Sequence, residues 1–286
     1  MDFRLTDEHR ALRETVRDFA VREIEPHAQA FDEQGAIPGA LLDQMASLGL
    51  MGICAPAEYG GAGMDYLAYI LALEEVSRAS ASVGLAMTVN NTLFGDPLLR
   101  FGTHEQKLKW LSPAATGARY GCYCLTEPGS GSDAMALSTT ARRDGDGYLL
   151  NGTKLFITNG SIAAQAIVFA TLDKRKKHKG VTAFLVDKAT PGFSVGRKER
   201  KMGMLASDTC EMILRDVRVG EDQVPSGVLL RIAAKASQHV APVNVVLVAV
   251  VHDLDLAEVN GLEAHVDPRS EEHTSELQSQ FRISYA

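Results

Sequence analysis

The sequence predicts an α+β fold in which an all-α N-terminal domain, residues 1–119, precedes a middle domain of β-barrel-like or β-sandwich type, residues 120–225. In the first range apolar side chains recur at the spacing of amphipathic helices, whereas the second holds short apolar runs separated by turn residues. The length of 286 residues agrees with two domains at about 150 residues each. Hydrophobic residues make up 45% and charged residues 23%, values that exclude disorder or a coiled coil for the whole chain.

An apolar stripe predicts the first helix, and its members are Leu12, Val16, Phe19, Ala20 and Ile24. Pro26 is expected to end this helix. Similar patterns predict further helices over residues 41–48, 66–77 and 80–101. Gly49 is placed to stop the first of these, and glycines and a proline predict a structured loop over 56–63. Thr103 and Gln106 have the spacing of a capping box, and they open a helix whose Trp110 is expected in the core.

From Tyr120 onward the pattern favours short strands bounded by turn residues, over 120–125, 138–143, 148–150, 154–158, 166–171, 181–186, 193–195 and 209–214. The four residues from Asp144 to Gly147, Asp-Gly-Asp-Gly, are a strong hairpin signal. Between two of the strands, the basic cluster at 173–179 is interpreted as a solvated turn. This range therefore predicts a compact all-β domain.

Charge and cysteine usage limit the partners and the compartment. With 29 Lys and Arg against 36 Asp and Glu, the net charge is −7, so nucleic acid is not expected as a partner. The four cysteines include one C-x-C pair, Cys122 and Cys124, without metal-ligand spacing; we interpret all four as reduced core residues of a cytoplasmic protein and predict no metal site. No secretory signal is visible, and the longest aliphatic run, Val245 to Val251, is far shorter than the ~20 residues that span a bilayer.

The end of the chain has a different character. Residues 226–268 carry no pattern that builds a helical bundle, and residues 269–286 are polar without periodicity. The eleven residues from Arg269 to Ser279 resemble the translation of a widely used sequencing-adapter oligonucleotide. We therefore expect that the natural reading frame is lost before Arg269. A disordered polar terminus is the alternative interpretation.

The most informative segment runs from Leu125 to Ala134, Leu-Thr-Glu-Pro-Gly-Ser-Gly-Ser-Asp-Ala. It joins a predicted strand to an irregular loop whose glycines let a ligand approach the backbone, and whose unpaired N–H groups can meet anionic oxygens. By itself such a loop indicates either a structural turn or a cradle for a phosphate or a flavin. A second segment, Leu149 to Asn159, forms a strand, a turn and a strand that ends in an aromatic, an aliphatic and a hydroxyl residue.

Together with several other motifs, these two segments resemble the acyl-CoA dehydrogenase family across residues 1 to about 225. The other motifs are Pro56–Gly61, Lys201–Met204, Asp216–Val219, and, most like the short-chain or butyryl-CoA branch, Val89–Asn91 and Phe101–Lys107. The resemblance implies an FAD site in the middle domain. The implied cofactor-binding residues are Tyr123, Cys124, Leu125, Thr126, Glu127, Pro128, Gly129, Ser130, Gly131, Ser132, Phe156, Ile157 and Thr158.

The resemblance also implies individual roles. Thr126 is the expected hydroxyl partner of the pyrimidine side of the flavin, and Thr158 the partner near N5. Phe156 stands where the family usually has Trp, so the aromatic face that packs on the flavin is kept and the indole N–H is lost. Ser132 matches a substrate-binding position on the acyl-CoA thioester arm, with an N-cap or turn hydroxyl as the alternative. Glu127 and the nearby Asp133 are expected to hold the loop through backbone hydrogen bonds rather than act as the base.

The implied activity is FAD-dependent α,β-dehydrogenation of a short-chain acyl-CoA, with electrons passing to an electron-transfer flavoprotein. The family base is a Glu of a C-terminal four-helix bundle, in a Glu-Gly-Thr setting that this sequence lacks; we expect that bundle to be missing or corrupted and identify no catalytic residue. Family members form homo-oligomers largely through the same bundle, so homo-oligomer formation is not carried over to this chain. The alternatives are a non-catalytic or unstable fragment, and a flavin monooxygenase or nitroalkane-oxidase-like relative on the same fold.

Overall fold

The computed structural model describes residues 4–134 and 136–225, which belong to one compact unit. The predictions for residues 226–268 and 269–286 lie outside the described residues. The first half is helical, with α1 Asp7–Phe19, α2 Ala28–Gln34, α3 Gly39–Ser47, α4 Tyr66–Ala79, α5 Ala81–Thr88, α6 Asp96–Phe101, α7 His104–Gln106 and α8 Ser112–Ala115. Among the described helices none is long and apolar enough to cross a membrane.

The first helical segment is longer than predicted. Thr6 caps α1 by accepting the N–H of His9 at 3.2 Å, and the predicted apolar stripe is buried except for Leu12, which is partly buried against the same cluster. Pro26 does not end the helical path, because it lies in a 3₁₀ turn, Glu25–His27, from which α2 continues. A proline is tolerated in the first turn of a helical segment, since its missing N–H has no partner to lose there. Gly35, with φ +65°, ends the path instead.

The helical path predicted for residues 80–101 is present but not regular. Ser80 caps α5, a π-helical segment, Val89–Gly95, follows it, and α6 begins at Asp96. The capping box predicted for Thr103 and Gln106 is confirmed.

Asn90 lies in the π-helical segment and is fully buried. Its amide nitrogen donates to the carbonyl oxygens of Met51 at 2.9 Å and Ala114 at 3.0 Å, while its amide oxygen accepts the N–H of Gly121 at 3.0 Å. One side chain thus satisfies main-chain groups of three segments. It also ties the helices to the first strand of the sheet through the N–H of Gly121. A buried backbone group left without a partner would destabilise the fold, so these bonds hold the segments together.

The second half is one curved mixed sheet, a half-barrel, which is the barrel-like form of the prediction. Its seven strands are β1 Gly121–Cys124, β2 Thr140–Asp144, β3 Gly147–Thr158, β4 Gln165–Thr171, β5 Val181–Asp187, β6 Phe193–Lys198 and β7 Thr209–Gly220. Their order is β1-β4-β2-β3-β7-β6, with β5 on β4, and β1 runs parallel to β4. The predicted turn at Asp144 to Gly147 closes the β2–β3 hairpin, but the two short strands predicted after it are one bulged strand, β3.

Buried apolar side chains form three clusters. One lies among the helices and one on a face of the sheet. The third, the joining cluster, combines Phe94, Leu98 and Trp110 of the helical half with Phe169 and Leu185 of β4 and β5. Trp110 is therefore a core residue, as predicted, and the two halves share apolar surface that neither buries alone.

All four cysteines are free thiols. Cys122, Cys124 and Cys210 are buried, which confirms the core interpretation for these three, whereas Cys54 is only partly buried in a loop of the helical half. Burial raises the pKa of Cys54 and that of Cys210 to about 12. Such thiols stay protonated at neutral pH and are poor nucleophiles.

Candidate functional site

The loop that leaves β1 is tightly folded. Glu127 and Ser130 exchange backbone hydrogen bonds of 2.9 and 3.1 Å around Pro128 and Gly129. The Ser130 hydroxyl, which is buried, donates to the carbonyl oxygen of Asp133 at 2.7 Å. The loop is therefore held in one shape by its own main chain before any ligand is considered.

Glu127, which is part of this loop, has a buried carboxylate. Glu127 accepts the N–H of Ser138 at 2.5 Å and that of Thr139 at 3.1 Å, which confirms that it holds the loop through backbone hydrogen bonds. The ammonium of Lys154 lies 2.6 Å from the same carboxylate. Burial alone would raise the pKa of Glu127, but the Lys154 charge and the hydrogen bonds outweigh it and lower that pKa. Glu127 is thus ionised, and its carboxylate is paired with Lys154 and with two backbone N–H groups.

The second predicted segment lies at a bulge of β3 between Lys154 and Ile157. Phe156 has a φ of +56° and its side chain is 60% exposed. For an L-residue with a bulky side chain the left-handed region costs about 1–2 kcal/mol. Residues in this region of φ often cluster at ligand sites, so an exposed aromatic side chain held there is a candidate for ligand contact.

Two contacts bring the loop and the bulge together. The N–H of Leu155 donates to the carbonyl oxygen of Thr126 at 2.9 Å, and Lys154 Nζ donates to the carbonyl oxygen of Leu125 at 3.1 Å. Thr126 consequently lies beside the residue that precedes Phe156. The two segments that the sequence predicted for one cofactor are neighbours in space.

The loop also has hydrogen-bond donors without a partner. Among the described residues, the N–H groups of Gly129, Gly131 and Ser132 have no hydrogen-bond partner, and neither do the partly exposed hydroxyls of Thr126 and Thr158. A methyl group added at Gly129 or Gly131 would meet no atom within 4 Å, so the space above the loop is open. Clustered backbone N–H groups next to an exposed ring fit a ligand that joins an anion to a flat aromatic system.

Not every predicted site residue presents its side chain to this space. Exposed or partly exposed are Thr126, Pro128, Gly129, Gly131, Ser132, Phe156 and Thr158. Buried are Cys124, Glu127, Ser130 and Ile157, while Tyr123 and Leu125 pack against the joining cluster, where Tyr123 lies 5.0 Å from the Phe169 ring. The sequence did not single out Lys154. Strict alternation puts Lys154 on the strand face opposite Ile157, and only the bulge between these two residues buries both.

Two sequence profiles of known protein domains match the chain, and their boundaries agree with its division into a helical half and a sheet. The sequence profile of the acyl-CoA dehydrogenase N-terminal domain matches residues 6–118, and that of the acyl-CoA dehydrogenase middle domain matches residues 122–217. The chain belongs to the acyl-CoA dehydrogenase family. Both candidate segments of the site lie within the middle-domain match.

Individual relatives and structural neighbours agree with this assignment. The mitochondrial short-chain specific acyl-CoA dehydrogenase of Mus musculus is 47% identical over 220 residues, which are 77% of this chain and 53% of that protein. The chain thus spans about half the length of the curated relatives it matches. A chain in the solved structure of the electron transferring flavoprotein of Acidaminococcus fermentans matches with a TM-score of 0.78 and 40% identity, covering 82% of this chain and 62% of that one.

An acyl-CoA dehydrogenase from Bacillus anthracis, solved in complex with FAD, matches with a TM-score of 0.73 and 35% identity. The match covers 79% of this chain and 39% of that chain. FAD is thus the cofactor of a solved acyl-CoA dehydrogenase that shares this fold. The open loop with its free N–H groups and the exposed Phe156 suit such a cofactor, since FAD joins a pyrophosphate to a flat tricyclic ring.

Proposed function

We propose that this protein is an FAD-dependent acyl-CoA dehydrogenase that acts on short-chain acyl-CoA thioesters in the cytoplasm and passes electrons to an electron-transferring flavoprotein. The observation that carries the proposal is the strained, exposed Phe156 beside a loop with free N–H groups. The short-chain relative at 47% identity supports the substrate class. The free cysteines support a reducing compartment.

Specific groups of the chain would hold the cofactor. The N–H groups of Gly129, Gly131 and Ser132 would donate to the pyrophosphate, since unpaired main-chain donors in a turn form an anion site. The Phe156 ring would pack on the isoalloxazine and exclude water from it. The hydroxyls of Thr126 and Thr158 would complete the polar contacts of the ring edge.

When bound, FAD supplies the hydride acceptor for dehydrogenation. The contribution of the chain is to orient that acceptor and to keep water away from it. Ser132, exposed at the end of the loop, is proposed to contact the thioester arm of the substrate. Removal of the α-proton requires a carboxylate within reach of the substrate. Glu127 does not meet this need, because it is buried, ion-paired with Lys154 and already accepts two backbone N–H groups.

The cofactor part of the proposal is tested by titrating the purified full chain with FAD. We expect one FAD per chain, quenching of flavin fluorescence and a shifted visible absorption band, because the ring would move from water to the Phe156 face. FMN is the matched control, since it lacks the pyrophosphate that the loop N–H groups would bind. Absence of FAD binding, or equal affinity for FMN and FAD, would contradict the proposal.

The substrate part is tested on the FAD-loaded chain. Addition of butyryl-CoA or its unsaturated product crotonyl-CoA should perturb the visible flavin spectrum, whereas hexadecanoyl-CoA should do so only at much higher concentration. Electron transfer is followed separately, as oxidation of the chemically reduced, FAD-loaded chain by an electron-transferring flavoprotein, because no base for turnover is identified among the described residues. Equal responses to the two chain lengths would contradict the short-chain assignment and leave the FAD assignment standing.

A further inference from the structure

The ion pair between Lys154 and Glu127 is the most deeply buried one in the described part of the chain. The Lys154 side chain is 0% exposed and that of Glu127 is 1% exposed, with 2.6 Å between the charged atoms. Removing two charges from water costs several kcal/mol per ion, and a well-packed apolar pair is often as stable or more stable. The pair is therefore weak evidence of a purely stabilising role.

The position of the pair offers another role. Lys154 donates to the carbonyl oxygen of Leu125, at the start of the loop, and to the carboxylate of Glu127, within the loop. Glu127 in turn accepts the N–H groups of Ser138 and Thr139, where the chain returns from the loop. Both ends of the loop are thus attached to one lysine of β3.

That lysine lies two residues before Phe156, at the start of the bulge that turns the ring outward. The bulge begins at a residue whose side chain is fully buried and charge-paired. Any displacement of Lys154 would move the ring and the loop relative to each other. We propose that the Lys154–Glu127 ion pair is a positioning device that holds the pyrophosphate-binding loop and the flavin-stacking ring at the separation FAD requires. This inference rests on the function proposed above.

Charge supplies a second reason for the pair. An ionised Glu127 below a loop that binds pyrophosphate would repel that anion, and Lys154 cancels the repulsion. Burial lowers the pKa of Lys154, and the nearby Glu127 charge opposes that effect. The two substitutions that neutralise one partner should therefore differ: Lys154→Met leaves a buried negative charge under the anion site, whereas Glu127→Gln leaves a positive one.

The test uses the full chain and measures the dissociation constant for FAD and the visible circular dichroism of the bound flavin. Lys154→Met should weaken FAD binding at least tenfold, a change that corresponds to about 1.4 kcal/mol, and should alter the flavin dichroism because the ring is displaced. Glu127→Gln should weaken binding less. The double variant K154M/E127Q removes the uncompensated charge, so it should fold like the wild type and still bind FAD about fivefold more weakly, because the attachment of Leu125 is lost.

The matched control is another ion pair with a buried carboxylate, Glu75 with Arg17, in the helical half. Its double variant R17M/E75Q should lower stability and leave the FAD dissociation constant and the flavin dichroism unchanged. The inference is overturned if K154M/E127Q binds FAD with wild-type affinity and wild-type dichroism, or if the control variant weakens binding equally. Failure of the wild-type chain to bind FAD would overturn the proposed function and, with it, this inference.

Discussion

At the scale of single residues, Glu75 shows how one buried carboxylate joins two helices. It lies in α4 and accepts hydrogen bonds from Arg13 at 2.8 Å and from Arg17 at 2.6 Å, both in α1. The hydrogen bond from Arg17 is the largest influence on its pKa, which falls to about 2 from an ordinary 4.5. The ionised form is therefore the one that the folded chain stabilises.

Stability at low pH should depend on this group. Because the pKa of Glu75 is lower in the folded chain, its contribution is fully present above about pH 4.5 and is lost as the pH falls toward about 2. Glu75→Gln should lower the free energy of unfolding by about 2 kcal/mol at pH 7, and the difference from the wild type should shrink at pH 3. Urea denaturation of both proteins at pH 7 and at pH 3 measures this free-energy difference. Asp7→Asn, at an exposed pair with Arg10, is the control; a pH-independent Glu75→Gln difference would contradict the prediction.

Phe156 is expected to show a trade-off between stability and function. Phe156→Gly removes the left-handed strain, so the free energy of unfolding without FAD should change by no more than about 1 kcal/mol. FAD affinity should nevertheless fall about five- to tenfold, since aromatic stacking is lost. Met204, with φ +52° and an exposed side chain, provides the control: Met204→Gly should leave FAD affinity unchanged. Equal affinity losses in the two variants would contradict a stacking role for Phe156.

At the scale of elements, the contact between β1 and the helices depends on one glycine. A methyl group at Gly121 would overlap the ring of Phe94, which is fully buried in the joining cluster. The same strand ends where the loop of Thr126 to Asp133 starts, so the position of β1 against the helices also sets where that loop begins. Close packing of this kind leaves no room for one added carbon.

Gly121→Ala should therefore destabilise the chain by about 2–3 kcal/mol, as expected for overpacking. Chemical denaturation measures the loss. Gly203→Ala is the control, because a methyl group there meets no atom within 4 Å. Adding Phe94→Leu to Gly121→Ala should recover part of the loss by making space. If the double variant were as unstable as the sum of its two substitutions, the overlap with Phe94 would not be the cause.

At the scale of the whole molecule, the helices and the sheet are fastened to each other by polar and apolar contacts. The joining cluster takes side chains from both halves. Asn90 ties the helices to β1, and Asn159, after β3, donates to the carbonyl oxygen of Ala86 at 3.0 Å. Segments that share a core are expected to unfold together.

Unfolding should therefore be one transition for both halves. Trp110, the single tryptophan of the sequence, reports by its fluorescence on the joining cluster, to which it belongs on the helical side. Cys122 and Cys210, buried in β1 and β7, report on the sheet by their thiol labelling in urea, read by mass spectrometry. The midpoints of fluorescence and labelling should coincide within error. Separate midpoints would contradict a shared core as the source of cooperativity.

The local features of this protein follow from the sequence by itself. The apolar stripe of α1, the Thr103 capping box and the turn at Asp144 to Gly147 depend on residues a few positions apart, so short-range patterns predict them. The motifs around Leu125 to Ala134 and Leu149 to Asn159 likewise predicted the family, because they lie in continuous segments.

Only the tertiary structure decided how those segments meet. The helical path past Pro26, the strand order, the parallel pairing of β1 with β4, the outward turn of Phe156 and the burial of Lys154 against Glu127 all depend on partners distant in sequence. A lysine in a strand is expected at the surface, since burying its charge is costly. It is buried here because the fold places an ionised carboxylate and a carbonyl oxygen around it, an arrangement that exists only once the strand and the loop have come together.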